Sequence, residues 1–221
     1  MGAMKDDVDR ERPVRTRVND AERTKQEIID VATGEFATNG LSGARVDAIA
    51  GRTRTTKRMI YYYFGSKEGL YIAVLEKAYA NIRADELRLH TEQLSPIDAI
   101  KRLVESTFDY DDTHAEIIRL VCIENIHHAK YIGQSNKLTD LGGPIIDTIA
   151  VILERGRREG VFRSDISAFD LHVFISALCF FRISNRDTIG AIFHRDLCEP
   201  ALRARHREMI ADAVIRLLRA P

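Results

Sequence analysis

The sequence has no stretch of about 18–20 uninterrupted apolar residues, the length needed to span a bilayer, and no apolar signal core near its N-terminus. This predicts a cytoplasmic chain without a membrane span. Cysteine is scarce: Cys122, Cys179 and Cys198 lie far apart with no C-x-x-C spacing. Cys122 and Cys179 fall within apolar helical patterns, so reduced, buried thiols are expected, with a redox pair as the alternative. Strict apolar/polar alternation bounded by turn residues is missing, and the five prolines stand at or near proposed helix starts and ends, which argues against strands. A Gly-rich phosphate loop, a G-x-S-x-G elbow and a motif-spaced Cys/His pair are also lacking, and this speaks against an enzyme. No cofactor is implied. Nor is there an excess of either charge, since Lys+Arg and Asp+Glu number 33 each. Residues 1–67 nevertheless carry 13 Lys/Arg against 10 Asp/Glu, a mildly basic N-terminal module on an acidic body.

What is present is helical periodicity over a length that can bury a substantial core. The fold class is all-α. Met1-Gly2-Ala3-Met4 reads as a tag remnant, and residues 1–19 as a flexible, mixed-charge arm. A first helix is expected over 20–38, burying Ile28, Ile29, Ala32 and Phe36 and stopped by Asn39-Gly40. A short second helix over 45–52 buries Val46, Ile49 and Ala50. After Thr53-Arg54-Thr55, Thr56 caps a third helix reaching residue 62 or 63, and Ser66 caps a long fourth helix reaching about residue 90. Further helices are expected over 96–110, 113–131, 138–159, 167–184, 188–196 and 200–219.

Residues 56–76 combine basic residues, three consecutive tyrosines and a Phe-Gly turn. Short helix, tight turn and second short helix is helix-turn-helix spacing, with the second helix offered to the major groove. A core of Phe36, Val46, Ile49, Ala50, Ile60 and Phe64 leaves Thr56, Lys57, Arg58, Met59 and Tyr62 exposed on one side. Arg45, Arg54, Lys57 and Lys67 are phosphate-contact candidates, Lys67 assisted by the N–H groups opening the fourth helix. Tyr62 is placed to donate its hydroxyl to a phosphate, while Tyr61 and Tyr63 pack. Arg58 and Met59 stand where base edges are read, Arg58 toward guanine and Met59 toward a thymine methyl. Arg15, Arg17 and Arg23 can add contacts from the arm.

Ile28-Ile29-Asp30-Val31-Ala32, Phe36-Ala37-Thr38-Asn39-Gly40, Val46-Asp47-Ala48-Ile49-Ala50, Lys57, Ile60-Tyr61-Tyr62-Tyr63-Phe64 and Ser66-Lys67-Glu68-Gly69-Leu70 together resemble the DNA-binding domain of the tetracycline-repressor family of transcription regulators. The resemblance covers residues 23–80. It implies a DNA-binding domain over 20–66, a ligand-binding and dimerisation domain over 67–221, and a homodimer that releases a palindromic double-stranded operator when a small-molecule effector binds. Two positions depart from the family pattern. Thr53-Arg54-Thr55-Thr56 replaces Ala-Gly-Val-Ser, and a positive φ at Arg54 would cost on the order of 1 kcal/mol. Arg45 stands where a small hydroxyl residue is common. A helical small-molecule-binding protein without operator binding is the alternative.

In the remainder, Asn125, His128, Arg182 and Asn185 are polar residues inside apolar stripes. Together with Tyr79, Phe108, Tyr110, Cys122, Phe174, Leu178 and Phe181, the first three of these are the ligand-wall candidates. Glu124 with His127 or His128 has metal-pair spacing, but further ligands are not identifiable and no metal is assigned. Arg182 can pair with an acidic effector, or with Asp170 or Glu124. Residues 169–181 are apolar on almost every face, and such a helix is buried on two sides. A second subunit is the expected cover, with Phe169, Val173, Phe180, Ile210, Val214 and Leu217 at the interface; the alternative is the central helix of a monomer.

Overall fold

Gly40 adopts a left-handed conformation (φ 66°) and divides the first helix at the Asn39-Gly40 pair. The computed structural model describes residues 14–140 and 142–220, with side chains from residue 20 onward. Most of the expected arm, including the tag remnant, lies outside these residues. Its last part does not stay irregular: α1 begins at Val14 and ends, beyond the Gly40 kink, at Gly43. Between Val14 and Thr33 the sequence has neither glycine nor proline. Nothing there interrupts the backbone ladder, and mixed charges suit an exposed helix.

Two short helices follow, α2 (Val46–Arg52) and α3 (Lys57–Phe64), and then the long α4 (Lys67–Leu87). The second half of the chain contributes α5 (Pro96–Thr113), α6 (Ala115–Ile126), α7 (Asn136–Asp140), α8 (Gly143–Arg158), α9 (Ala168–Ser184), α10 (Arg186–Phe193) and α11 (Pro200–Leu218). The helix expected over 138–159 is two. Pro144 has no N–H and crowds the carbonyl four residues upstream, so it opens α8 instead of continuing α7. The helix expected over 113–131 ends at Ile126, and His128 and Ala129 then take left-handed conformations.

Two cores hold these helices. The first packs Ile28, Ala32 and Phe36 of α1 against Val46, Ile49, Ile60 and the first turns of α4 (Leu70, Tyr71, Val74, Leu75). Phe36 and Tyr71 meet edge to face with ring centres 5.1 Å apart. Leu120 of α6 and Leu138 of α7 close this core from the other half of the chain. The second core joins α5, α8, α9 and α11 through Ile100, Val104, Phe108, Ile149, Ile152, Leu171, Ile175, Val214 and Leu218. Helix α4 serves both: its start is built into the first core and its end stands over the second half.

Helix α9 has one buried face (Leu171, Ile175, Cys179) and one exposed apolar face, with Phe169 62%, Val173 48% and Phe181 58% exposed. Of the other expected interface residues, Val214 is fully buried in its own chain's core and cannot reach a second subunit. Phe180 is half-buried and faces a cavity between helices, and Ile210 and Leu217 are half-buried. Among the described residues no single helix is long and apolar enough to cross a membrane. Helices α9 and α10 reach that length only together, and they are bent by 59°.

Candidate DNA-binding surface and ligand cavity

The turn into α3 is extended at Thr53 (φ −113°, ψ 164°), and Arg54 is not among the described residues with positive φ, so it carries no left-handed strain. The Thr53 hydroxyl donates to the Ile49 and Ala50 carbonyls and fastens the end of α2. Thr56 caps α3, its hydroxyl accepting from the Met59 N–H at 3.3 Å. Ser66 caps α4 in the same way, accepting from the Gly69 N–H at 3.0 Å. At Gly69 an added Cβ would lie 2.1 Å from the Phe64 carbonyl oxygen, so the close approach of α3 to α4 requires glycine there.

These caps fix which side chains face outward. Ile60 is buried, while Thr56, Lys57 and Arg58 are exposed, Met59 is half-buried and Tyr62 is 77% exposed. Tyr63 packs beneath the Lys25 ammonium, 5.7 Å from its ring centre. Lys57 pairs with Asp47 at 3.0 Å, both half-exposed, a contact weak enough to exchange for a phosphate. Lys67 donates to the Ser42 carbonyl at 3.2 Å, which holds its ammonium beside the α1–α2 turn. Arg45 and Arg54 are exposed at the two ends of α2. Arg23 is engaged with Asp20 at 3.2 Å; the side chains of Arg15 and Arg17 lie outside the described part.

A cavity of about 190 Å³, partly open to solvent, lies between α4, α5, α6, α8 and α9. A wider groove of about 800 Å³ between α10 and α11 is open to solvent. Of the ten ligand-wall candidates, Tyr79 and Tyr110 line the smaller cavity. The other eight do not. Phe108 is buried in the second core, with the guanidinium of Arg182 4.2 Å from its ring centre. Arg182 itself pairs with Asp112, not Asp170 or Glu124, and donates to the Leu197 carbonyl at 2.7 Å. Arg203 holds the same Asp112 at 2.5 Å and Asp109 at 2.6 Å, and Arg207 holds Asp109 and Glu105, each at 3.0 Å. Phe174 and Phe181 are exposed on the outer face of α9, and Leu178 packs against the second core. Cys122 faces a groove between α1 and α9. Asn125 caps back to the Val121 carbonyl, and His128 is exposed in the left-handed turn after α6. Glu124 points inward and accepts the N–H groups of Tyr131 and Ile132 at 3.2 and 3.1 Å, tying that turn to α6.

The polar part of the cavity wall is instead Arg83, Glu86, Thr107, Asp111, His172 and Ser176, set among Leu103, Ile117, Ile118, Ile145, Ile149, Ile175 and Phe180. Arg83 and Glu86 form an ion pair one turn apart. Burial pushes the Glu86 carboxyl up to about 7 against the opposing pull of Arg83, and pushes Asp111 up to about 7 with Arg182 opposing. Burial, with Arg83 nearby, pushes the His172 imidazole down, and burial pushes the Tyr110 phenol up to about 12. Reading α4 onward from Tyr79 at helical spacing, with Arg83 at i+4 and Glu86 at i+7, would have found two of these six.

The model for bacterial regulatory proteins of the tetR family matches residues 28–74, and that for the tetracyclin repressor-like C-terminal domain matches residues 96–214. The HTH-type transcriptional repressor NicS of Pseudomonas putida is 34% identical over 203 residues, covering 92% of this chain and 96% of its own length. The crystal structure of a Streptomyces coelicolor transcriptional regulator superposes with a TM-score of 0.65 at 25% identity, covering 90% of this chain and 99% of the other. The ketosteroid regulator KstR2 of Mycobacterium tuberculosis shares the fold, with a TM-score of 0.66 at 17% identity over 89% of this chain and 95% of its own.

Proposed function

Since the chain belongs to the tetracycline-repressor family of transcriptional regulators, we propose that it represses as a homodimer, reading a palindromic operator with α3 and letting go when a small molecule fills the cavity behind α4. The observation that carries this reading is the position of α4. Its first turns are part of the first core, packed against α1 and α3, and its last turns supply Tyr79, Arg83 and Glu86 to the cavity wall. These two stretches are roughly 20 Å apart along one rigid helix. A ligand that shifts the cavity end of α4 therefore re-aims α3, and two copies of α3 then lose their match to successive major grooves.

On the operator side, Lys57, Lys67, Arg45 and Arg54 take phosphates, Tyr62 donates its hydroxyl to a phosphate, Thr56 caps the reading helix, and Arg58 and Met59 face base edges. The exposed apolar face of α9, Phe169, Val173 and Phe181, supports the dimer: a patch of large side chains on a helix otherwise built into the core is a candidate for cover by a second copy. The test is a mobility shift with DNA from upstream of the chain's own coding sequence, across a salt series and against random duplex. Salt-sensitive, sequence-preferring binding is expected, and its absence would refute operator recognition.

A further inference from the structure

We infer that the cavity binds a molecule with one apolar ring and one positively charged nitrogen, an aromatic or alicyclic amine whose ammonium sits against the Asp111 carboxylate. This deepens the effector reading and rests on it. Size comes first. An engineered apolar cavity of about 150 Å³ holds benzene, so about 190 Å³ admits a single ring with one short substituent. The aliphatic walls supplied by α6 and α8 suit the ring.

Charge decides the substituent. Arg83, the cation in the wall, is already paired with Glu86. Arg182, the cation outside the wall whose charge acts on Asp111, is bonded through its terminal nitrogens to Asp112 and to the Leu197 carbonyl. Among the described residues Asp111 has neither an ion pair nor a hydrogen-bond donor, although it faces the cavity. The Tyr110 hydroxyl beside it is buried without a partner and can accept a further N–H. The facing titratable groups are Tyr79, Arg83, Glu86, Tyr110 and His172, and the imidazole, pushed toward its neutral form, adds no competing cation. Asp111 is half-buried, and a partly desolvated carboxylate with no partner carries a cost that an incoming ammonium offsets. An anionic ligand could reach only the one free Nε–H of Arg83, a cation already paired with Glu86, and would stand beside the two carboxyls Asp111 and Glu86.

The test uses three isosteric probes on the full-length protein: benzylamine, benzyl alcohol and benzoate, each titrated by calorimetry near pH 7.5. Benzylamine is expected to bind at least tenfold more tightly than the other two. Asp111→Asn should remove that preference while circular dichroism shows an unchanged helical fold. The rank order in the unmodified protein needs no variant, so a misfolded Asp111→Asn protein does not rescue the idea. Benzoate or benzyl alcohol binding as well as benzylamine, an unchanged preference in Asp111→Asn, or no binding by any probe at millimolar concentration would overturn it. The effector reading has its own readout. Benzylamine bound in this order with DNA retained refutes that reading and upholds the amine site, whereas benzoate binding and releasing DNA does the reverse.

Discussion

Arg182 and Phe108 hold α5, α9 and α11 together. Arg182→Met should therefore act on unfolding. Its guanidinium, 4% exposed, pairs with Asp112, donates to the Leu197 carbonyl and lies 4.2 Å from the centre of the Phe108 ring. Breaking a buried pair usually costs roughly 3–5 kcal/mol because the remaining charge is stranded. Here Arg203 still holds Asp112 at 2.5 Å, so the expected cost falls to about 2–4 kcal/mol. Phe108→Leu loses part of a buried ring together with its cation contact and should cost about 1–2 kcal/mol. The double variant should cost less than the sum by about 0.5–2 kcal/mol, since each change removes the same stacking contact. Urea unfolding followed by circular dichroism measures all three, with unchanged slopes required before midpoints are compared. If Arg182→Met unfolds within about 0.5 kcal/mol of the parent, or if the two changes simply add, the buried cluster is not the support described here.

Three other outcomes are expected. Arg58→Ala should relax base preference at a cost of about 1–3 kcal/mol, while Lys67→Ala should weaken all duplexes alike and flatten the salt dependence by about one unit; identical behaviour on specific and random DNA would contradict these roles. Gly69→Ala should destabilise the protein by about 1–3 kcal/mol and loosen the α3–α4 joint, read as a lower melting temperature with weakened DNA binding, because its Cβ would meet the Phe64 carbonyl at 2.1 Å. Asp111 binds its proton more tightly in the folded chain, so its contribution declines as pH climbs from about 4 through about 7 and then levels off. Asp111→Asn should accordingly match the parent's stability near pH 4 and exceed it by about 1–3 kcal/mol at pH 8; equal stability at both pH values would count against the half-buried, unpaired carboxylate.

How far the sequence can be read depends on how local the deciding interaction is. The Thr56 and Ser66 caps and the Asn39-Gly40 break follow from contacts within four residues, and all three are legible from spacing. The cavity is not, because it depends on which faces of five helices meet. In α9 almost every position is apolar, so periodicity alone does not separate Ile175, facing inward, from Phe174 and Phe181, facing out. The segment Asp109-Tyr110-Asp111-Asp112 shows the same limit with charges. Asp109 and Asp112, one turn apart, meet the arginines of α9 and α11, while Asp111 between them turns to the cavity. Arg203 and Arg207, four residues apart on α11, are the complementary signal, but only the packing of α5 against α11 shows which acids they take.

Leu120 and Leu138 come from beyond residue 87 yet finish the core around Phe36 and Tyr71. The recognition head is thus not a detachable cassette. Exchanging heads between relatives at a seam in α4 or at residue 95 would leave the transplanted head resting on two leucine positions supplied by the host. A functional chimaera should need those positions exchanged along with the head, so the unit of recombination is discontinuous in sequence although it is contiguous in space.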